Sequence, residues 1–282
     1  MMMQSKDHNQ AGGRQFSIAH LTAIDLQPHE LIHLAARCGY DAVGLRLIRV
    51  TDTSPGYPLM EDPAMMRAAQ SALADTGVFV NDIEFVKLTP DLEVATLEAM
   101  LAAGAALGAR HVICAPYDPD LPRLAARLAQ MTELAAGYGI KAMLEFFPWT
   151  VVPDLPAARA IVAASGADAG ILVDALHFDR SGSTLADLAA LPPAQVPFLH
   201  LCDAPVHPPY STDDLLHAGR AERLPPLEGQ IDLTAFLGAF PAQSLIALEV
   251  PMTAATAREG IEAVAKRVIA AARTCAAQAQ LR

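Results

Sequence analysis

Residues 120–147, "DLPRLAARLAQMTELAAGYGIKAMLEFF", contain the structural unit that is repeated along the chain. The first part is an Ala- and Leu-rich amphipathic stretch, which predicts a helix, and the last seven residues are an apolar run, which predicts a buried strand. This unit recurs, because eight apolar runs along the chain alternate with eight amphipathic segments. The apolar runs cover residues 16–21, 41–48, 78–88, 111–117, 141–147, 170–178, 196–204 and 244–250.

Strands that are apolar on both faces and alternate with helices are typical of parallel βαβ units. Eight such units predict an α/β fold, the (β/α)8 TIM barrel, as a single domain over residues 16–282. A doubly wound open sheet is the alternative, but residues 20–30, "HLTAIDLQPHE", carry no Gly-rich fingerprint after the first strand. Residues 1–15 are expected to form a flexible N-terminal tail.

The composition limits the classes of partner. The chain has 282 residues, of which 52% are hydrophobic and 18% charged, and its net charge is −11. A surface of this sign repels nucleic acid, and no run is long and apolar enough to predict a membrane span. The cysteines are far apart without a C-x-x-C pair, which favours reduced side chains and a soluble cytoplasmic protein. They are Cys38, Cys114, Cys202 and Cys275.

Polar residues interrupt four consecutive predicted strands near their ends. In a barrel of this kind the loops after the strands build the active face, so such residues are candidates for chemistry. Each is of a metal-ligand type, and together they are Glu145, Asp174, His200 and Glu249. For any one of them, a satisfied buried hydrogen bond or ion pair is an alternative interpretation.

Three carboxylates that converge in a low dielectric repel one another, and the strands offer no Lys or Arg at the same depth. A divalent cation would neutralise them, so the four residues together predict a metal site. Three oxygen donors and one imidazole favour Mn²⁺ or Mg²⁺, and they also allow Co²⁺ or Zn²⁺.

These residues resemble the xylose isomerase-like barrels over nearly the whole chain from Phe16. The secondary motifs of that family are also present, as Asp174-x-x-His177, His200-x-x-Asp203 and "ERLPPLEGQIDL" at 222–233. In the last of these, Leu227 stands where the family usually has Gly.

The resemblance implies one divalent metal held by Glu, Asp, His and Glu on strands 5 to 8. Glu145 and Glu249 would be ligands that also serve as catalytic acid and base, whereas Asp174 and His200 would be ligands alone. The implied activity is that of an isomerase or epimerase of carbohydrate metabolism. It would act on a sugar or a related hydroxy-carbonyl compound by proton abstraction through a metal-stabilised enediolate.

Further residues are predicted to bind the substrate, each with an alternative. His177 is placed to hydrogen-bond a substrate hydroxyl, unless it lies behind the ligands or on the surface. Arg223 would bind a substrate oxyanion, or it is an exposed loop cation. Glu84 interrupts the third strand and would contact the substrate or pair with Arg46. Trp149 belongs to a set of aromatic residues expected near the barrel mouth, either lining a pocket or capping the core: Tyr117, Phe146, Phe147, Trp149, Phe178 and Tyr210.

Several functions stay open at this point. A metal-dependent dehydratase of a cyclic keto-polyol, such as an inosose or dehydroshikimate, would use the same proton abstraction. An abasic-site endonuclease is disfavoured by the negative net charge and because strands 3 and 4 do not end with the additional His ligands that the related endonucleases need. A non-catalytic metal-binding barrel is a further alternative. The substrate is expected to be a small unphosphorylated molecule, because no Gly-rich phosphate cradle follows strands 7 and 8. A homo-oligomer remains open.

Overall fold

The computed structural model describes residues 14–281, and eight parallel strands in this range close into a barrel in chain order. The predicted α/β barrel is therefore confirmed. The tail predicted over residues 1–15 lies outside the described residues up to residue 13, and Nε of Arg14 already donates to the carbonyl oxygen of Ala242. The strands are β1 Phe16–Ile18, β2 Ala42–Arg46, β3 Phe79–Leu88, β4 His111–Pro116, β5 Lys141–Glu145, β6 Gly170–Asp174, β7 Phe198–Leu201 and β8 Leu245–Leu248.

Helices follow the strands and cover the outside of the barrel. No helix between residues 14 and 281 is long and apolar enough to cross a membrane. The α-helices are α1 Pro28–Cys38, α2 Pro63–Thr76, α3 Glu98–Ala106, α4 Leu121–Ala136, α5 Leu155–Ser165, α6 Ala175–Ser181, α7 Leu185–Ala189, α8 Thr212–Arg220, α9 Leu233–Gly238, α10 Thr253–Glu259 and α11 Ile261–Gln280.

Each strand is shorter than the apolar run that predicted it, and three further differences concern helices. The run predicted as a strand over 170–178 changes to a helix at Ala175, because the side chain of Asp174 caps α6 by accepting from two backbone N–H groups. The last predicted helix is divided at Gly260, which has a φ of 82°. The acidic loop after β7 contains α8, which the sequence analysis did not predict.

The barrel interior is a small apolar cluster of Ala42, Ile113, Met143, Leu172, Phe198, Leu245 and Ala247. Since side chains alternate along a strand, the residue two positions later points into the barrel again, one layer nearer the C-terminal ends. On β2 this places Gly44 beside Asp82 in the strand register. A Cβ at Gly44 would lie 2.5 Å from Oδ2 of Asp82, so the close approach of these strands requires glycine.

Candidate metal centre and active-site cavity

The four predicted ligands form the layer above this apolar cluster. Each follows an interior residue by two positions: Glu145 follows Met143, Asp174 follows Leu172, His200 follows Phe198, and Glu249 follows Ala247. Each offers one ligand atom, and these atoms all lie within 4.8 Å of one another. The structure therefore brings together the residues that the sequence pattern selected, all of them buried.

This donor set fits a divalent metal. Oε1 of Glu145 and both ring nitrogens of His200 are buried and have no hydrogen-bond partner within the described part of the chain. A buried polar atom without a partner costs free energy, and a bound cation would supply the missing interaction. Oxygen donors with one imidazole are ligands for Mn²⁺ or Mg²⁺, and they also suit Co²⁺ or Zn²⁺.

The electrostatics of the site separate its two glutamates. Burial raises the pKa of Glu145 well above its usual value, and the carboxylates of Glu249 and Asp174 add to the rise. Burial also acts on Glu249, but Arg223 and His200 outweigh it and lower the pKa of Glu249. At neutral pH, and without a metal, Glu145 therefore holds a proton more readily than Glu249.

His200 is surrounded by acids. Burial alone would lower its pKa, yet Glu249, Glu145 and Asp174 together raise the pKa of His200 to about 10. Its Nδ1 lies 3.7 Å from carboxylate oxygens of Asp174 and Glu249. Since a ligating imidazole must be neutral, metal binding would displace a proton from this ring.

Arg223 reaches the site from the loop after α8. Its Nη1 lies 2.6 Å from Oδ2 of Asp174, and its Nη2 lies 2.7 Å from Oε2 of Glu249. Only 2% of the residue is exposed, so the alternative of an exposed loop cation is wrong. Burial and Arg223 act in opposite directions on Asp174, and the net result is a lowered pKa of Asp174.

The loop that carries Arg223 is held by Asp203. Backbone hydrogen bonds join Asp203 to Leu224, and Oδ1 of Asp203 accepts from the N–H groups of Ala204 and Ile231. A Cβ at Gly229 would lie 2.3 Å from this oxygen. Leu227, at the position where the family usually has Gly, keeps a left-handed φ of 71°. The loop thus keeps a turn that favours glycine.

His177 lies beside the predicted ligands, on α6. Its Nε2 is 3.8 Å from Oε1 of Glu145, and neither ring nitrogen has a hydrogen-bond partner within residues 14–281. The rings of Phe147 and Trp149 pack edge-on against it, with centroids 4.8 Å and 5.2 Å away. Burial lowers the pKa of His177 to about 4, so the ring is neutral at physiological pH.

Glu84 is paired with Arg46, one of the two roles the sequence allowed. Oε1 of Glu84 lies 3.2 Å from Nη2 of Arg46, and both side chains are buried.

Asp82 lies two positions before Glu84 on the same strand. Its Oδ1 accepts from the side-chain amide of Asn81, while its Oδ2 has no partner among the described residues. Burial and Glu84 raise the pKa of Asp82 to about 7. Sequence reasoning did not select Asp82, although the polar pair "ND" within an apolar strand marks it.

A cavity of about 310 Å³ opens above the ligand layer. Its lining includes Glu145, Glu249, His177 and Arg223, and the aromatic part of the wall consists of Phe85, Tyr117, Phe147 and Trp149. Of the other aromatic residues expected near the mouth, Phe146 is buried in the core, Phe178 packs on Phe236, and Tyr210 packs on Arg180. Glu84 lies behind Arg46, which lines the cavity.

The protein is an eight-stranded parallel barrel, and its four candidate metal ligands lie at the C-terminal ends of β5 to β8. The chain belongs to the xylose isomerase-like TIM barrel family, whose model matches residues 32–267.

Among characterised proteins, an inosose isomerase of Halalkalibacterium halodurans is 28% identical over 156 residues. The match covers 51% of this chain and 53% of that protein, so it spans about half the length of each.

Solved structures share the fold. The IolI protein with a bound zinc atom aligns with a TM-score of 0.77 and 18% identity, covering 94% of this chain and 98% of that one. An L-ribulose 3-epimerase aligns with a TM-score of 0.68 and 16% identity, covering 95% and 96%. A probable 3-DHS dehydratase, AsbF of Bacillus anthracis, aligns with a TM-score of 0.70 and 14% identity, covering 89% and 97%. At these identities the likeness establishes the fold.

Proposed function

We propose that this protein is a divalent-metal-dependent isomerase or epimerase of a sugar or related hydroxy-carbonyl compound. The observation that carries the proposal is the convergence of Glu145, Asp174, His200 and Glu249 within 4.8 Å, with partnerless donor atoms beside a cavity. The inosose isomerase relative and the zinc atom in the IolI structure support it. Mn²⁺ or Mg²⁺ is the proposed ion, on the chemistry of the donors.

When bound, a divalent ion would polarise the substrate carbonyl and stabilise the negative charge of an enediolate. The protein supplies the proton transfers. Glu145 and Glu249 are the candidates for acid and base, because both carboxylates line the cavity beside the candidate metal centre. The two glutamates lie on β5 and after β8, three strands apart, so they can act on different faces of a substrate carbon.

The neighbouring residues would orient the substrate. His177 is neutral and has free ring nitrogens, which suits a hydrogen bond to a substrate hydroxyl. Trp149 and Phe147 hold this ring and shield the cavity from water. Arg223 retains its Nε as an unused donor.

Solvent hydrogen exchange tests the proposal. Metal-loaded protein is incubated in D₂O with a panel of unphosphorylated ketoses, cyclic keto-polyols and hydroxy-keto acids, and deuterium beside the carbonyl is followed by NMR. We expect labelling by the wild type and by the surface control Glu262→Gln, and loss of labelling in Glu145→Gln that still binds metal. Failure of the metal-loaded wild type to label any member of the panel would contradict the proposal.

A dehydratase is the second candidate, and the fold likeness to the probable 3-DHS dehydratase supports it. Removal of the same proton followed by loss of a β-hydroxyl would give an unsaturated ketone. The growth of enone absorbance with a cyclic keto-polyol, in place of an epimerised product, distinguishes this reaction.

We further propose an unphosphorylated substrate, because a cavity of about 310 Å³ lies at the small end of ligand sites. Cytoplasmic location and homo-oligomerisation stay predictions from the sequence. The net charge of −11 argues against the abasic-site endonuclease.

A further inference from the structure

Arg46 is a buried cation in the cavity wall that has spare donors. It ends β2, is 7% exposed and lines the cavity. A guanidinium has five N–H donors, and the contact with Glu84 at 3.2 Å involves one of its nitrogens. Its Nε is buried without a hydrogen-bond partner within the described residues. An unused buried donor beside a cavity points to a ligand group that would accept from it.

A second cation, Arg220, lines the same cavity. Arg220 ends α8, is exposed, and forms no ion pair within residues 14–281. Nζ of Lys87 lies 5.2 Å from the ring centroid of Tyr117, another lining residue, and it too has no ion-pair partner among the described residues. Burial and the nearby charge of Arg220 lower the pKa of Lys87, and the carboxylate of Asp52 acts in the opposite direction.

The charges around the cavity do not cancel. A divalent ion and Arg223 would balance the carboxylates of Glu145, Asp174 and Glu249, while Arg46 balances Glu84. Arg220 is then left at the cavity without an ion-pair partner among the described residues, on a chain whose net charge is −11. A local positive potential on an acidic protein favours the entry and binding of an anion.

Arg223 is a poor candidate for this anion site. Its Nη1 donates to Asp174 and its Nη2 donates to the carbonyl oxygen of Gly219 and contacts Glu249. Although Nε of Arg223 also has no partner within residues 14–281, its charge already faces the carboxylates of Asp174 and Glu249. Arg46, which faces one carboxylate, and Arg220, which forms no ion pair among the described residues, are therefore the groups that a second negative charge would meet.

We propose that the substrate is a hydroxy-keto acid, whose carboxylate is recognised by Arg46 and Arg220 while its carbonyl end faces the four-residue metal centre. This inference rests on the proposed function, and it narrows the substrate class from neutral sugars to small carboxylates. Planar guanidinium groups bind carboxylates through charge-assisted hydrogen bonds. A neutral sugar has no negative charge with which to form this ion pair.

Equilibrium binding tests this inference without turnover. Calorimetry on metal-loaded protein compares glycerate, gluconate and quinate, each against its own carboxamide, so that each pair differs in one group, which is a carboxylate in one compound and a neutral amide in the other. We expect at least one acid to bind about tenfold or more tightly than its amide. Arg220→Gln, and the double variant Arg46→Gln with Glu84→Gln, should each reduce this preference. The double variant leaves no unpaired charge buried, and Arg67→Gln, on the exposed face of α2, is the matched control.

The inference is overturned if no acid binds more tightly than its amide, or if the preference persists in both cavity variants. This result is separable from that of the deuterium exchange experiment. A charge preference without exchange would contradict the proposed reaction alone, and exchange on neutral ketoses without a charge preference would contradict the carboxylate alone.

Discussion

Nη1 of Arg223 lies 2.6 Å from Oδ2 of Asp174, so a cation from a loop is hydrogen-bonded to a predicted metal ligand. The same guanidinium contacts Glu249, and all three side chains are buried. Arg223 therefore holds two carboxylates in place that would otherwise repel each other and move apart. Half of the candidate metal centre is therefore positioned by Arg223 without any ion.

Replacement of Arg223 by Gln should destabilise the metal-free protein by about 3 kcal/mol, because two buried carboxylates lose their cation. Mn²⁺ should then raise the melting temperature more in the variant than in the wild type, since the ion would meet a more negative site. Thermal and urea unfolding with EDTA or Mn²⁺ measure both effects. Arg267→Gln removes an exposed pair with Glu228 and should cost at most about 1 kcal/mol. An equal response to Mn²⁺ in the variant and the wild type would argue against this role of Arg223.

His177→Gln should lower kcat/KM by about 10- to 100-fold on the substrate that the exchange assay finds, since a positioned hydrogen bond is lost. Metal affinity should be unchanged, because His177 is not among the four ligands. Steady-state kinetics and a Mn²⁺ titration make the comparison, and the exposed His217→Gln is the control. A variant that lost its metal instead would show that His177 is a ligand.

Asp82→Asn should change the pH dependence of stability. Because burial raises the pKa of Asp82 to about 7, the folded state holds a proton that the unfolded chain releases near pH 4, and stability falls as pH rises between these values. The variant lacks this loss, so its free energy of unfolding relative to the wild type should be about 2–3 kcal/mol more favourable at pH 8 than at pH 5. Urea unfolding in EDTA tests this, with the exposed Asp168→Asn as reference. The same difference at both pH values would contradict it.

Leu227→Gly should stabilise the protein by about 0.5–1 kcal/mol, because a left-handed φ costs an L-residue more than glycine loses in chain entropy. The Leu227 side chain is 41% exposed, so its removal forfeits little packing. Urea unfolding measures the change. Leu185→Gly is the contrasting substitution, since Leu185 is equally exposed but begins α7, and it should destabilise. A loss of stability in Leu227→Gly would mean that the side chain matters more than the turn.

The four candidate ligands could be selected from the sequence because polar residues are conspicuous in strands that are buried on both faces. Glu145 and Glu249 each interrupt an apolar run. Because the strands of a closed barrel lie side by side, residues at the same height on different strands come close together, and this can be predicted without knowing the path of the loops. Asp174 was found for the same reason, although its second role as the cap of α6 was not, since a cap and a strand end look alike in sequence.

The cations were harder to place. Arg223 and Arg220 belong to the long connection after β7, where no hydrophobic period fixes the direction of a side chain, so their partners depend on a path that the sequence does not specify. Asp82 was not predicted as a site residue because its surroundings depend on the strand register. Its neighbour across the sheet is Gly44, and the absence of a side chain there makes room for a buried carboxyl group.

The proposed function requires one divalent ion to be bound by four residues, which are Glu145, Asp174, His200 and Glu249. Calorimetric titration of EDTA-stripped protein with Mn²⁺ tests it most directly, in the wild type, in His200→Ala and in the exposed control His217→Ala. We predict one ion per chain in the wild type and the control, and an affinity at least about a hundredfold weaker in His200→Ala. Binding of one ion with unchanged affinity in His200→Ala would show that the ion binds elsewhere.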